Sequence, residues 1–126
     1  MPRIPGSEAT NSATWSAVDA GDLTGRVALV TGANSGIGYE TTRVLAEHGA
    51  HVIMACRDPE KAARARDKLE SQLDRSSLEL LDLDLSDQAS VRAGAALVVE
   101  QHARLDLLVN NAGVMGSPYC QTADGF

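Results

Sequence analysis

The chain has 126 residues, enough for one domain and not two. Its 44% hydrophobic and 22% charged content is that of an ordinary globular protein. The net charge of −6 argues against partnership with nucleic acid or an anionic membrane surface. No apolar run approaches the length of a membrane span, and the amino terminus lacks the apolar stretch of a signal peptide. Aromatic residues are scarce (Trp15, Tyr39, Tyr119 and Phe126), so the core must be built from Val, Leu, Ile and Ala, as suits buried parallel strands. Cys56 and Cys120 form no C-x-x-C and read as reduced thiols of a cytoplasmic protein.

Residues 1–22 are rich in Ser, Ala, Thr, Gly and Pro, show no apolar periodicity, and read as a flexible lead-in. Trp15 either docks on the domain or is exposed. From residue 23 to residue 126 the pattern becomes regular. Val27 to Thr31 is a first strand, and a glycine-rich turn carries it into a helix that ends near Gly49. His51 to Cys56 is a second strand. Asp58 as N-cap and Pro59 at the first helical position open a second helix, striped by Ala62, Ala65, Leu69 and Leu73. Leu78 to Leu85 holds a third strand, and Ser86 is the expected N-cap of a third helix lined by Val91, Ala95 and Val98. Leu105 to Asn110 is a fourth strand, followed by loop with turns at Gly113, Gly116 and Pro118.

Strands alternating with helices imply right-handed crossovers and a parallel sheet. The predicted class is α/β: a Rossmann-type three-layer sheet, incomplete at four strands, in the order 3-2-1-4. A ligand is expected at the switch point between the first and fourth strands, where four loops converge.

The first of these loops is the most informative. Thr31-Gly32-Ala33-Asn34-Ser35-Gly36-Ile37-Gly38 lies between a strand and a helix, the context a phosphate cradle needs. Gly32 permits a tight turn, Gly36 lets backbone N–H groups approach a pyrophosphate, and Gly38 lets the helix pack closely on its strand. The helix amino terminus then faces the anion. No Gly-Lys-Ser or Gly-Lys-Thr follows, which excludes a nucleoside-triphosphate loop, and no nucleophile elbow is present. His48, His51 and His102 do not cluster in sequence and have no metal-ligand spacing, so no metal is assigned.

Thr31 to Gly38 and Asn110 to Gly113 resemble the T-G-x-x-x-G-I-G and N-N-A-G motifs of the short-chain dehydrogenase/reductase family. Met54 to Asp58 and Asn111 to Met115 resemble its retinol dehydrogenase and protochlorophyllide reductase branch. The resemblance covers about Asp22 to Phe126. It implies a pyrophosphate held by Gly32, Asn34, Ser35, Gly36, Ile37 and Gly38. It places adenine at Asp84 and the backbone of Leu85, and the adenosine side along Asn110, Ala112 and Gly113. A binder of NAD carries an acid at the tip of the second strand. Here that tip is Cys56, followed by Arg57, whose guanidinium suits a 2′-phosphate. The expected cofactor is therefore NADP rather than NAD.

The resemblance further implies oxidoreduction of a small-molecule carbonyl or alcohol through a Tyr-x-x-x-Lys pair and a preceding Ser. No such pair occurs here. The two lysines, Lys61 and Lys68, lie on the second helix; Tyr39 is followed four residues on by Arg43, and Tyr119 by Ala123. Ser117 lies in a loop. No catalytic residue is assigned, and the chain is expected to be the cofactor half of such an enzyme. The alternative is a nucleotide-binding fragment or truncated product without activity. A Rossmann methyltransferase would leave Asn110 to Gly113 without a role. The outer side of the fourth strand (Leu107, Leu108 and Val109) is expected to be unpaired and prone to self-association.

Overall fold

The computed structural model describes residues 14–113 and 119–126. Val114, Met115, Gly116, Ser117, Pro118 and residues 1–13 lie outside the described residues, so the readings placed on them are not addressed. Four parallel strands form one sheet in the order β3-β2-β1-β4: β1 Val27–Thr31, β2 His51–Cys56, β3 Ser77–Asp82 and β4 Leu107–Val109. Three helices connect them: α1 Gly36–Glu47, α2 Pro59–Gln72 and α3 Gln88–Gln101. The fold is Rossmann-type α/β.

Alternation along β2 decides the layers. Val52, Met54 and Cys56 face one side, with Ala46 of α1 and Ala62, Ala65 and Leu69 of α2 packed over them. Ile53 and Ala55 face the other, beside Leu29 of β1 and Leu81 of β3 and under Val98 of α3. Because β1 and β2 are covered on both faces, their residues form near-continuous apolar runs, and Val30, Val52 and Met54 are fully buried. At β4 only Ala28 to Val30 of β1 are partnered, and Leu107 and Leu108 are exposed.

The ends of elements depart from the sequence reading where side-chain hydrogen bonds decide them. The N-cap of α3 is Asp87, whose carboxylate accepts the Ala89 N–H at 3.0 Å. It is not Ser86, whose N–H and hydroxyl both donate to Asp84 Oδ1. Within the stretch read as a lead-in, Ala17–Ala20 form a 3₁₀ turn closed by reciprocal bonds between Ser16 and Asp19. Trp15 is exposed.

Asp106 ties the start of β4 to the start of β1. Its carboxylate accepts the Val27 N–H at 2.8 Å and lies 3.2 Å from Arg104 and 3.6 Å from Arg26. The Val27 N–H, helped by the two guanidinium charges, holds this carboxyl below its ordinary range. A carboxyl depressed in the folded state adds stability that is complete above its unfolded pKa and is lost as pH falls through the folded one. Asp106→Asn should therefore lower the unfolding midpoint at neutral pH, and the gap to wild type should close on acidification. Midpoints recorded across the acid range check this; a gap independent of pH would mean that Asp106 acts through packing alone.

Candidate functional site

At the carboxyl ends of the strands a cleft of about 650 Å³ opens between the loops after β1, β2, β3 and β4. From β1 it is lined by Gly32, Asn34, Ser35 and Ile37, and from β2 by Arg57. Asp84 and Leu85 line it after β3, and Ala112 and Gly113 after β4. The remaining expected site residues are placed differently. Gly38 is buried beneath the loop, Gly36 lies exposed at its rim, and Asn110 is exposed outside the lining. Thr122, from the described segment near the carboxyl end, closes one side.

The two glycine- and asparagine-rich loops hold each other. The Thr31 hydroxyl accepts the N–H groups of Asn111 and Ala112, each at 3.0 Å. The Asn111 amide donates to the carbonyls of Thr31 and Gly32 at 3.2 and 3.3 Å. Gly32, at φ 63°, turns the chain out of β1, and a Cβ on it would lie 3.1 Å from the Ala112 backbone. A Cβ on Gly38 would collide with the Gly32 carbonyl and lie 2.5 Å from Asn111 Nδ2. Glycine at these two positions is thus the space that Asn111 and Ala112 occupy. Thr31 and Asn111 are the residues that the sequence reading quoted in motifs but did not place in the site. Their spacing of 80 residues carries no local signal.

The helix amino termini differ. Asp58 caps α2, accepting from Glu60 N–H at 3.0 Å and Lys61 N–H at 3.2 Å. At α3, Asp87 and Asp124 accept from Ala89 and Gln88. At α1, Ser35 makes no side-chain cap bond, and the first turn holds no acid. A Cβ on Gly36 would meet nothing within 4 Å. Among the described residues this is the one helix amino terminus that faces the cleft without a carboxylate, and its orphan N–H groups suit an anion.

Below this loop Cys56 is buried, and its sulfur accepts the N–H groups of Ala33 and Asn34. Burial pushes the thiol up, so it stays protonated and supports the loop as a neutral acceptor. Asp84 is held below the ordinary carboxylate range by the Ser86 hydroxyl and N–H, with a further contribution from the charge of Arg57. Arg57 is exposed at the tip of β2. Tyr39 and Lys68, neither assigned to catalysis, sit at the α1–α2 contact. The Tyr39 hydroxyl donates to Gln72 at 3.0 Å, and Lys68 Nζ lies 5.3 Å from the ring centroid. Arg43 is paired with Glu40 and Glu47.

The profile of the family described as short chain dehydrogenase matches residues 26–124. The chain belongs to the short-chain dehydrogenase family. Mouse (Mus musculus) retinol dehydrogenase 11 is 48% identical to this chain over 104 residues, covering 82% of the chain and 33% of the relative. The chain thus spans about a third of the length of the curated relatives it matches. An uncharacterized protein from Mycobacterium paratuberculosis superposes with a TM-score of 0.76 at 41% identity, over 89% of this chain and 38% of that one. The RhlG/NADP active-site complex of Pseudomonas aeruginosa superposes at 0.67 and 41% identity, over 74% of this chain and 36% of that one. Among the described residues, no helix is long and apolar enough to cross a membrane.

Proposed function

We propose that this chain is the NADP-binding part of a short-chain dehydrogenase that interconverts a small-molecule carbonyl and its alcohol. The observation that carries the reading is the cleft itself, in which the loop of Gly32 to Gly38 and the loop of Asn111 to Gly113 are locked together beside an uncapped helix terminus. The open space above Gly36 and the free first turn of α1 fit a pyrophosphate. In this reading Asn34, Ser35 and Ile37 surround it, Asp84 and Leu85 meet the adenine, and Asn110, Ala112 and Gly113 run along the adenosine. When bound, the nucleotide would give the hydride to the carbonyl as NADPH, or take it from the alcohol as NADP⁺.

Arg57 is the residue for the 2′-phosphate. Asp58, which would read the ribose of NAD, has its Oδ1 engaged by two N–H groups of α2. That supports NADP over NAD. The proton-transfer pair is assigned to no residue of this chain: Tyr39 and Lys68 are engaged between helices, and Arg43 is paired with two acids. The two free cysteines, Cys56 and Cys120, fit a reducing cytoplasm. The one-sided pairing of β4, with Leu107 and Leu108 exposed, is the surface through which the isolated chain associates with itself.

Binding and turnover separate the parts of this reading. Residues 1–126 should bind NADPH more tightly than NADH in a calorimetric titration and show no turnover with aldehydes and ketones. Loss of general acid–base catalysis alone costs about 10²–10⁴ in rate. No binding of either nucleotide would overturn the cleft assignment. Turnover at ordinary enzyme rates would overturn the absence of a catalytic pair.

A further inference from the structure

On the opposite edge of the sheet, remote from the cleft, three side chains converge that lie far apart in the sequence. His51 is the first residue of β2 and pairs in register with Ser77, the first of β3. Glu79 stands two residues further along β3 and so points to the same face as Ser77. His102 is the C-cap of α3, delivered to that face as the helix packs over Ile53 and Leu81. His51 Nε2 lies 2.9 Å from Glu79 Oε2, and His102 Nε2 lies 2.8 Å from the same oxygen. The ring centroids are 5.3 Å apart.

We propose that His51, Glu79 and His102 form a binding site for a divalent transition-metal ion of the Zn²⁺ class. Their ligand atoms all lie within 4.8 Å of one another. Tetrahedral ligation with bonds of about 2.0–2.1 Å sets ligand atoms about 3.3 Å apart, so the two contacts to Glu79 need to open by about 0.5 Å and the two histidine nitrogens to settle at the same spacing. Two imidazoles and one carboxylate are a donor set for Zn²⁺, with a fourth position left for water; Mg²⁺ and Ca²⁺ prefer oxygen alone. The side chains are 29%, 30% and 16% exposed, which fixes them and leaves an entry path.

The outer shell is present as well. His51 Nδ1 lies 2.5 Å from Ser77 Oγ. With Nε2–H directed at Glu79, the serine hydroxyl donates to Nδ1. When Nε2 gives its lone pair to a metal, the neutral ring carries its proton on Nδ1 instead and donates it to Ser77 Oγ. That is the support a ligating histidine needs. A bound ion would tie the start of β2, the start of β3 and the end of α3 together.

The test uses the full chain, stripped with a chelator and titrated with Zn²⁺ by calorimetry and with Co²⁺ by visible absorption. One equivalent of Zn²⁺ should bind, and Co²⁺ should give the intense bands of a four-coordinate site. Loss of outer-shell partners alone costs about 10–100-fold in affinity, so His102→Gln and Glu79→Gln should each weaken Zn²⁺ by at least about 100-fold. Ser77→Ala, which removes no ligand, should weaken it about 10-fold. His48→Gln should leave affinity unchanged, since that ring is held by the Val44 carbonyl at 2.7 Å in α1. Circular dichroism checks that each variant folds. Should His102→Gln unfold, the wild-type Co²⁺ spectrum and the Ser77→Ala affinity decide. No saturable equivalent in wild type, or equal affinity in wild type and the ligand variants, would show a hydrogen-bonded triad only and overturn the proposal.

Discussion

Replacing Gly38 by alanine should abolish nucleotide binding and sharply destabilise the fold, although alanine is the better helix former. Two effects of opposite sign meet here. Propensity alone would favour alanine inside a helix by about 1 kcal/mol. Against it, the new Cβ would collide with the Gly32 carbonyl and stand 2.5 Å from Asn111 Nδ2. Neither neighbour can give way cheaply. The Gly32 carbonyl is backbone, and the Asn111 amide is held by the carbonyls of Thr31 and Gly32. Gly38 is itself held by the Thr42 hydroxyl, which donates to its carbonyl at 2.8 Å. Overpacking of this kind costs about 1–3 kcal/mol and more where backbone must move. The clash therefore wins, and it displaces α1 from β1 at the point where the phosphate loop is formed.

Chemical denaturation and NADPH titration of Gly38→Ala measure both losses. Gly94→Ala in α3 is the internal control, because the nearest atom to its Cβ is Leu83 Cδ1 at 2.9 Å, the far end of a flexible side chain. It should stay close to wild type. A Gly38→Ala protein as stable as wild type, with NADPH affinity intact, would mean that the two loops do not need this close contact.

Arg57→Ala should weaken NADP binding about 10- to 150-fold and leave NAD binding almost unchanged. A hydrogen bond to a charged group is worth about 1.5–3 kcal/mol, and each 1.4 kcal/mol is about tenfold in affinity. NAD carries no 2′-phosphate for the guanidinium to meet. The lower end of the range is favoured because Arg57 is exposed and its charge also acts on Asp84. The preference should shrink as salt rises. Calorimetry of wild type and variant with both nucleotides, at low and high salt, reads all of this. Equal losses for NAD and NADP would mean that Arg57 acts on the fold. A wild-type preference for NAD would mean that Asp58 leaves its N-cap position and reads the ribose.

The elements that were legible in the sequence are those whose residues meet the same environment on every side. Strands β1 and β2 follow their apolar runs closely, because both faces are covered and all but the first residue of each is buried. Helix α2 begins where Asp58 and Pro59 place it, since its cap bonds lie within three residues. The parallel order β3-β2-β1-β4 and the cleft at the strand tips likewise follow from the alternation of short elements and the chirality of their connections. Gly32, Asn34, Ser35 and Ile37 of the glycine loop, and Arg57, were read from local pattern and line the cleft; Asp84 and Leu85, expected there from the family resemblance, line it too.

Tertiary structure alone decided the rest. The expected strand from Leu78 to Leu85 is Ser77–Asp82, and that from Leu105 to Asn110 is Leu107–Val109, because an edge strand ends where its neighbour's hydrogen bonds end. Ser86 yielded the cap of α3 to Asp87 because its hydroxyl and N–H are taken by Asp84. The bonds from Asn111 and Ala112 to Thr31, and the meeting of His51, Glu79 and His102, join residues separated by 23 to 81 positions. No local periodicity or propensity encodes such contacts. They exist because the sheet brings distant strand ends within 5 Å of one another and the helices deliver their termini to the same edges.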